Sequence, residues 1–253
     1  MMISKFIEEL KKISYDGSDE SVELILDLLK KREPFAYARF NDGEMIGIDK
    51  IGAVAARGDQ PVNKSLHQKL IEGIQHVQKN YYVGLPCPDC FPKYAKLARE
   101  LVKQPKEFQL NAVVMTNRNW AKFINEFPET VKGRKIVWIS GADQNLDVLK
   151  NVMGLNIVKH IKHPAKDTWT FYNHIRHEYS EYTHENPDFD IVLVSSGPTA
   201  RVFCKEYFEV DSSRTYIDIG STFDPFTRNV WHNCHKGWIE TGFNLTRKCK
   251  ICN

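Results

Sequence analysis

The sequence predicts an α/β chain, built as a mostly parallel sheet with helices on both faces. Three observations carry this. Apolar periodicity switches repeatedly between a helical and an extended pattern along the chain. The extended runs alternate one by one with helical ones, which is the order of a parallel sheet with crossover helices. Two of the extended runs, Ile136-Val137-Trp138-Ile139 and Ile191-Val192-Leu193-Val194, are apolar without alternation, as strands covered on both faces must be.

Taken in order, residues 3–13 and 20–32 carry apolar side chains at helical spacing: Ile3, Phe6, Ile7 and Leu10, then Val22, Ile25, Leu26 and Leu29. Residues 34–40 alternate as a strand and run into the turn-forming cluster Asn41-Asp42-Gly43-Glu44. Strands are then expected at 81–85, 110–115, 135–140, 155–161, 189–195 and 215–219. Helices are expected at 63–79, 92–104, 117–127, 145–152, 168–182 and 198–207. This divides the chain into N-terminal helices (1–33), one α/β domain (34–225), and a cysteine-bearing C-terminal tail (226–253) packed on the same domain.

With 253 residues, 42% hydrophobic and 26% charged, the chain suits one sizeable soluble domain. A formal net charge of +3 gives no footprint for nucleic acid. The start, MMISKFIEELKKI, lacks the apolar core of a signal peptide, and no apolar run approaches the roughly 20 residues of a membrane span. A cytoplasmic protein without transmembrane segments is the expectation.

In a parallel sheet, ligands bind beyond the carboxyl ends of the strands, so three such ends are of interest. The first is Arg39-Phe40-Asn41-Asp42-Gly43-Glu44. In extended backbone the carboxylates of Asp42 and Glu44 point the same way, about 7 Å apart at Cα, within reach of one hard cation such as magnesium or manganese. Gly43 leaves room for a ligand, and Arg39 can meet a phosphate or orient a carboxylate. Spacing alone makes D-x-E a weak signal, for which a solvated turn is the simpler reading. The second is Ser195-Ser196-Gly197-Pro198-Thr199, where a strand feeds a helix whose first N–H groups suit an anion; ordinary capping by Ser196 is the competing reading. The third is Asp218-Ile219-Gly220, with a carboxylate inside an apolar strand. It would serve a ribose hydroxyl, a base edge or a neighbouring loop.

R-F-x-D-G-E after the first strand, S-x-G-P-T-A at a late strand-to-helix turn and I-D-I-G at the last strand together resemble the GT-D glycosyltransferase family, long catalogued as a domain of unknown function. The likeness runs over roughly residues 34–225. His163-Pro164 with Asp167-Thr168-Trp169, and Thr116-Asn117-Arg118, also look like family segments. The resemblance implies a Rossmann-like fold and transfer of a sugar from a nucleotide-diphosphate donor, a UDP-sugar foremost, to a glycan or glycoprotein. It also implies a divalent cation, usually manganese, at Asp42 and Glu44. Arg39, Gly43, Ser195, Ser196, Gly197, Thr199, Asp218 and Gly220 then line the donor site, Arg39 or Arg118 adds positive charge, and Glu44, Asp224 or His163 would act as base. The chain departs from the pattern at Asn41, where glycine is common.

Two CxxC pairs, Cys87/Cys90 and Cys249/Cys252, have the ligand pattern of a structural zinc site clasping the tail, or are four reduced thiols. Cys234 with His232 and His235 is a second metal-type grouping that reads equally as a polar loop. Phe223, Phe226, Trp231, Trp238 and Phe243 would stack on an acceptor sugar or, more simply, pack the tail. A zinc-clasped binding module without transferase activity, or another nucleotide-dependent Rossmann enzyme, are the competing readings; the latter lacks G-x-G-x-x-G and G-x-x-x-x-G-K-[ST] motifs.

Overall fold

The computed structural model describes residues 20–54 and 61–232. Its strands are β1 (Ala36–Arg39), β2 (Tyr81–Leu85), β3 (Gln109–Asn111), β4 (Ile136–Gly141), β5 (Ile157–His163), β6 (Ile191–Ser195) and β7 (Thr215–Asp218). They form one seven-stranded sheet in the order β3-β2-β1-β7-β6-β4-β5, and every pairing is parallel. The helices are α1 (Glu20–Lys31), α2 (Asp42–Asp49), α3 (Lys64–Gln75), α4 (Pro92–Leu101), α5 (Trp120–Thr130), α6 (Asp147–Asn151), α7 (Tyr172–Glu185), α8 (Thr199–Val210) and α9 (Asp224–Thr227). The expected α/β, Rossmann-like fold is what is found.

The apolar strands divide their side chains between two cores. Tyr37, Ile136, Trp138, Ile191, Leu193 and Ile217 face one core, with α1, α5, α6 and α9 over it. Ala36, Ala38, Val137, Ile139, Val192, Val194 and Tyr216 face the other, under α2, α3, α4, α7 and α8. Successive strand side chains point to opposite faces, so a run of four apolar residues serves both cores. Helix α1 belongs to the first of them: Val22, Ile25, Leu26 and Leu29 are buried together with Phe123, Ile124 and Phe127 of α5.

Beyond the short helix α9, which the sequence did not predict, two elements differ from expectation. The strand expected at 110–115 ends at Asn111, and residues 112–115 form a buried turn. Asn111 Oδ1 accepts the N–H of Val113 at 3.1 Å, a local side-chain bond that diverts the chain from the ladder. The second difference lies at 41–44, where a turn was expected and α2 begins. Gly43 and Gly47 hide this helix in the sequence, since each costs about 1 kcal/mol of helix propensity against alanine. Gly47 is there for contact, because a Cβ on it would lie 2.5 Å from Val62 Cγ2.

Phe223 and Phe226 are buried core residues, and Trp231 packs edge-on against Trp120 with ring centroids 6.0 Å apart. These three pack the start of the tail onto the domain. Cys87 is buried and Cys90 half-buried in the turn after β2. The expected first helix at 3–13, and Cys234, His235, Trp238, Phe243, Cys249 and Cys252, lie outside the described residues. Among the described residues, no helix is long and apolar enough to cross a membrane.

If α1 is part of the core rather than an appendage, Leu29→Ala should cost about 2–5 kcal/mol of stability. The unfolding transition should remain single, with tryptophan fluorescence and circular dichroism coincident in denaturant. A separate early transition for the helix would show that it folds apart.

Candidate functional site

Where the strand order reverses, β1 lies between β2 and β7. That reversal opens a crevice at the carboxyl edge. Arg39 ends β1, Asp218 ends β7 and Ser195 ends β6, so three of the motifs singled out in the sequence meet there.

What joins them is a residue the sequence reading passed over. Arg201, one turn into α8 and only 4% exposed on its side chain, places Nη2 3.2 Å from Glu44 Oε1 and Nε 2.9 Å from Asp218 Oδ2. Its Nε also donates to the Arg39 carbonyl at 2.5 Å, and Nη1 donates to the Gly197 carbonyl. One guanidinium thus ties β1, β7, α2 and the turn before α8. The available signal was a lone charge in the apolar run Thr199-Ala200-Arg201-Val202-Phe203.

Asp218 is fully buried. Its Oδ2 accepts the Arg39 N–H at 3.3 Å and lies 3.7 Å from Arg39 Nε, and its Oδ1 accepts the Gly220 N–H at 3.0 Å. Its side chain has no exposed surface, so it organises the site from below. Gly220, at φ +46°, is a close approach: a Cβ there would lie 2.0 Å from Arg39 Nη2. The guanidinium of Arg39 rests where a side chain would stand.

Asp42 and Glu44 do not share an extended turn. They occupy the first and third positions of α2, where residues two apart diverge around the helix axis. Glu44 turns inward, 7% exposed, and its Oε2 accepts the N–H of Asn41 at 3.1 Å, half of a capping box. Burial pushes the Glu44 carboxyl above the usual glutamate range, with Arg201 pulling against it. Asp42 is half-buried, and among the described residues its carboxylate makes no hydrogen bond or ion pair. Gly43 between them is buried.

The turn before α8 is similarly selective. Ser195 Oγ donates to the Gly220 carbonyl at 2.7 Å and accepts from Gln144 Nε2 at 3.3 Å. Ser196 Oγ lies 2.8 Å from His163 Nε2, while His163 Nδ1 is 2.7 Å from the Pro164 carbonyl. A carbonyl only accepts, so Nδ1 carries the proton and Nε2 receives the Ser196 hydroxyl's. Burial lowers the His163 pKa, which keeps the ring neutral. Both serine hydroxyl protons are therefore committed inside the protein, and Thr199 is 1% exposed. The Ala200 and Arg201 N–H groups donate to the Gly197 and Pro198 carbonyls at 3.1 and 3.4 Å, so what the turn offers an anion is the exposed backbone of Gly197, at φ +53°, and the positive end of a twelve-residue helix.

The three candidate bases are each engaged: Glu44 by Arg201, His163 by Ser196 and Pro164, and Asp224 by His232, whose Nε2 stands 2.6 Å from its Oδ2. Thr116 is buried, Asn117 is left-handed at φ +53°, and the Arg118 side chain lies outside the described residues. No group of three His, Cys, Asp or Glu among the described residues could cage a metal by itself. Asp42 does fit the other way of holding a hard cation, through one or two carboxylates plus substrate phosphate oxygens and water.

The family model for GT-D fold-like domains matches residues 17–226. Solved structures share the fold at 17% identity. One is a selenomethionine-substituted domain of unknown function 1792, at TM-score 0.64 over 94% of this chain and 85% of that one. Another, a domain of unknown function 1792 described as having a distinct glycosyltransferase fold, aligns at 0.63 over 95% and 86%. A third, described as a new glycosyltransferase of this domain type from Streptococcus sanguinis, aligns at 0.65 over 91% and 86%. No curated protein matches the chain significantly by sequence.

Gly220→Ala should displace the Arg39 guanidinium and strain a left-handed residue. The expected cost is about 1–3 kcal/mol of stability, with loss of anion affinity at the crevice. Arg39→Ala should reproduce the affinity loss without the backbone strain. Pyrophosphate titration of both variants checks this, and unchanged affinity in Gly220→Ala would dissociate that glycine from the arginine.

Proposed function

The chain belongs to the GT-D-like family, and on that footing we propose that it is a metal-dependent glycosyltransferase. It moves a sugar from a nucleotide-diphosphate donor, a UDP-sugar foremost, to a glycan or glycoprotein acceptor. The observation that carries the reading is the meeting of Asp42, Arg39 and the α8 turn at one sheet edge.

Glycosyl transfer leaves negative charge on the departing diphosphate. Positioned positive groups that meet this charge stabilise the transition state. Arg39 supplies a guanidinium, held from below by Asp218 and seated over Gly220. The α8 turn supplies the exposed backbone at Gly197 and the positive end of a helix dipole. Asp42, with Glu44 behind it, would hold a manganese or magnesium ion, which when bound acts as a Lewis acid on the diphosphate.

The two carboxylates carry distinguishable expectations. Asp42→Asn should lower transfer at least about a hundredfold, close to 2.7 kcal/mol, with stability nearly unchanged because the side chain is half-exposed. Glu44→Gln should lower both, since it removes a partner of a buried guanidinium. A panel of UDP-, GDP- and dTDP-sugars, screened by thermal shift with and without manganese, identifies the donor. If no nucleotide sugar raises the melting point and Asp42→Asn keeps more than about a tenth of turnover, a loss under roughly 1.4 kcal/mol, this reading is wrong.

A further inference from the structure

The two carboxylates of the D-x-E motif stand in unlike surroundings. Glu44 Oε1 is paired with Arg201 at 3.2 Å and its Oε2 accepts the Asn41 N–H at 3.1 Å, so both oxygens are engaged. Arg201 is itself held on three further sides, by Asp218, the Arg39 carbonyl and the Gly197 carbonyl. It is 3% exposed and cannot swing away from Glu44 without breaking contacts to three elements. The buried charges balance: Arg39 and Arg201 against Glu44 and Asp218. Asp42 carries the remaining negative charge of the group.

We propose that Arg201 is a positioning residue that holds Glu44 out of a cation's reach, so that of the D-x-E pair Asp42 alone presents a carboxylate and the rest of the ligand set arrives with the diphosphate. This rests on the cation-dependent reading above. A bare divalent ion meets one carboxylate and a balanced hub, which is a weak site. An ion accompanied by a diphosphate gains the diphosphate's oxygen ligands, and the ion's charge in turn offsets that of the diphosphate beside a hub that is already balanced. Cation and diphosphate therefore bind cooperatively, and the coupling is reciprocal. Arg201 enforces the order by acting through Glu44, without touching either ligand.

The test is calorimetric titration of the full chain with manganese(II), alone and in the presence of UDP. In the wild type, UDP should tighten manganese binding about tenfold or more. Asp42→Asn should weaken binding of manganese alone about tenfold, whereas Glu44→Gln should leave it within about twofold. Arg201→Lys, checked for folding by circular dichroism, should tighten binding of manganese alone about fivefold or more, and adding Glu44→Gln should remove that gain. Where Arg201→Lys does not fold, the contrast between Asp42→Asn and Glu44→Gln decides alone. Equal weakening by those two variants overturns the proposal and leaves the cation-dependent reading standing. A wild-type protein that takes up no manganese even with UDP overturns both.

Discussion

Arg201 pairs with two carboxylates and donates to two backbone carbonyls from a position beneath the sheet's carboxyl edge. A guanidinium suits this because its donors are fixed in one plane and stay charged, so the contacts are won or lost together. Burying such a group is costly unless every donor is answered. The answer here is distributed over β1, β7, α2 and the turn before α8. Those four pieces must be in place before the arginine can be buried, and once it is buried none can shift alone. The crevice above therefore inherits its shape from an ion network and not from loop sequence.

That network could not form on a sheet with one wet face. Strands buried on both sides need helices on both sides, and α8 lies directly over β1 and β7 because the second core, with Val202, Phe203 and Phe208, draws it there. Apolar burial places the helix to within a turn; the arginine then selects the register. The division of labour is physical: hydrophobic burial is non-directional, while charged hydrogen bonds are directional.

At the edge, Ser195, Ser196, His163, Gln144 and Asp218 each bond to other parts of the protein. They hold the backbone of the turn and the Arg39 side chain in place. Asp42, half-buried, and Gly197, exposed, are reached from solvent.

The amino-acid sequence by itself determined the parallel α/β architecture, since period and run length register burial on one face or two, and that depends only on local order along the chain. It also placed Arg39, Asp42, Glu44, the turn at Ser195–Gly197 and Asp218 at strand ends. Tertiary structure alone decided what those residues do there. Gly43 and Gly47 disguise a helix that exists because Gly47 fits against Val62, and Asn111 cuts a strand short. Above all, Glu44 and Asp42 part company because Arg201, 157 positions beyond Glu44 in the numbering, reaches only one of them. Pairing between distant residues leaves no periodic trace, because its energy depends on a distance that the fold creates.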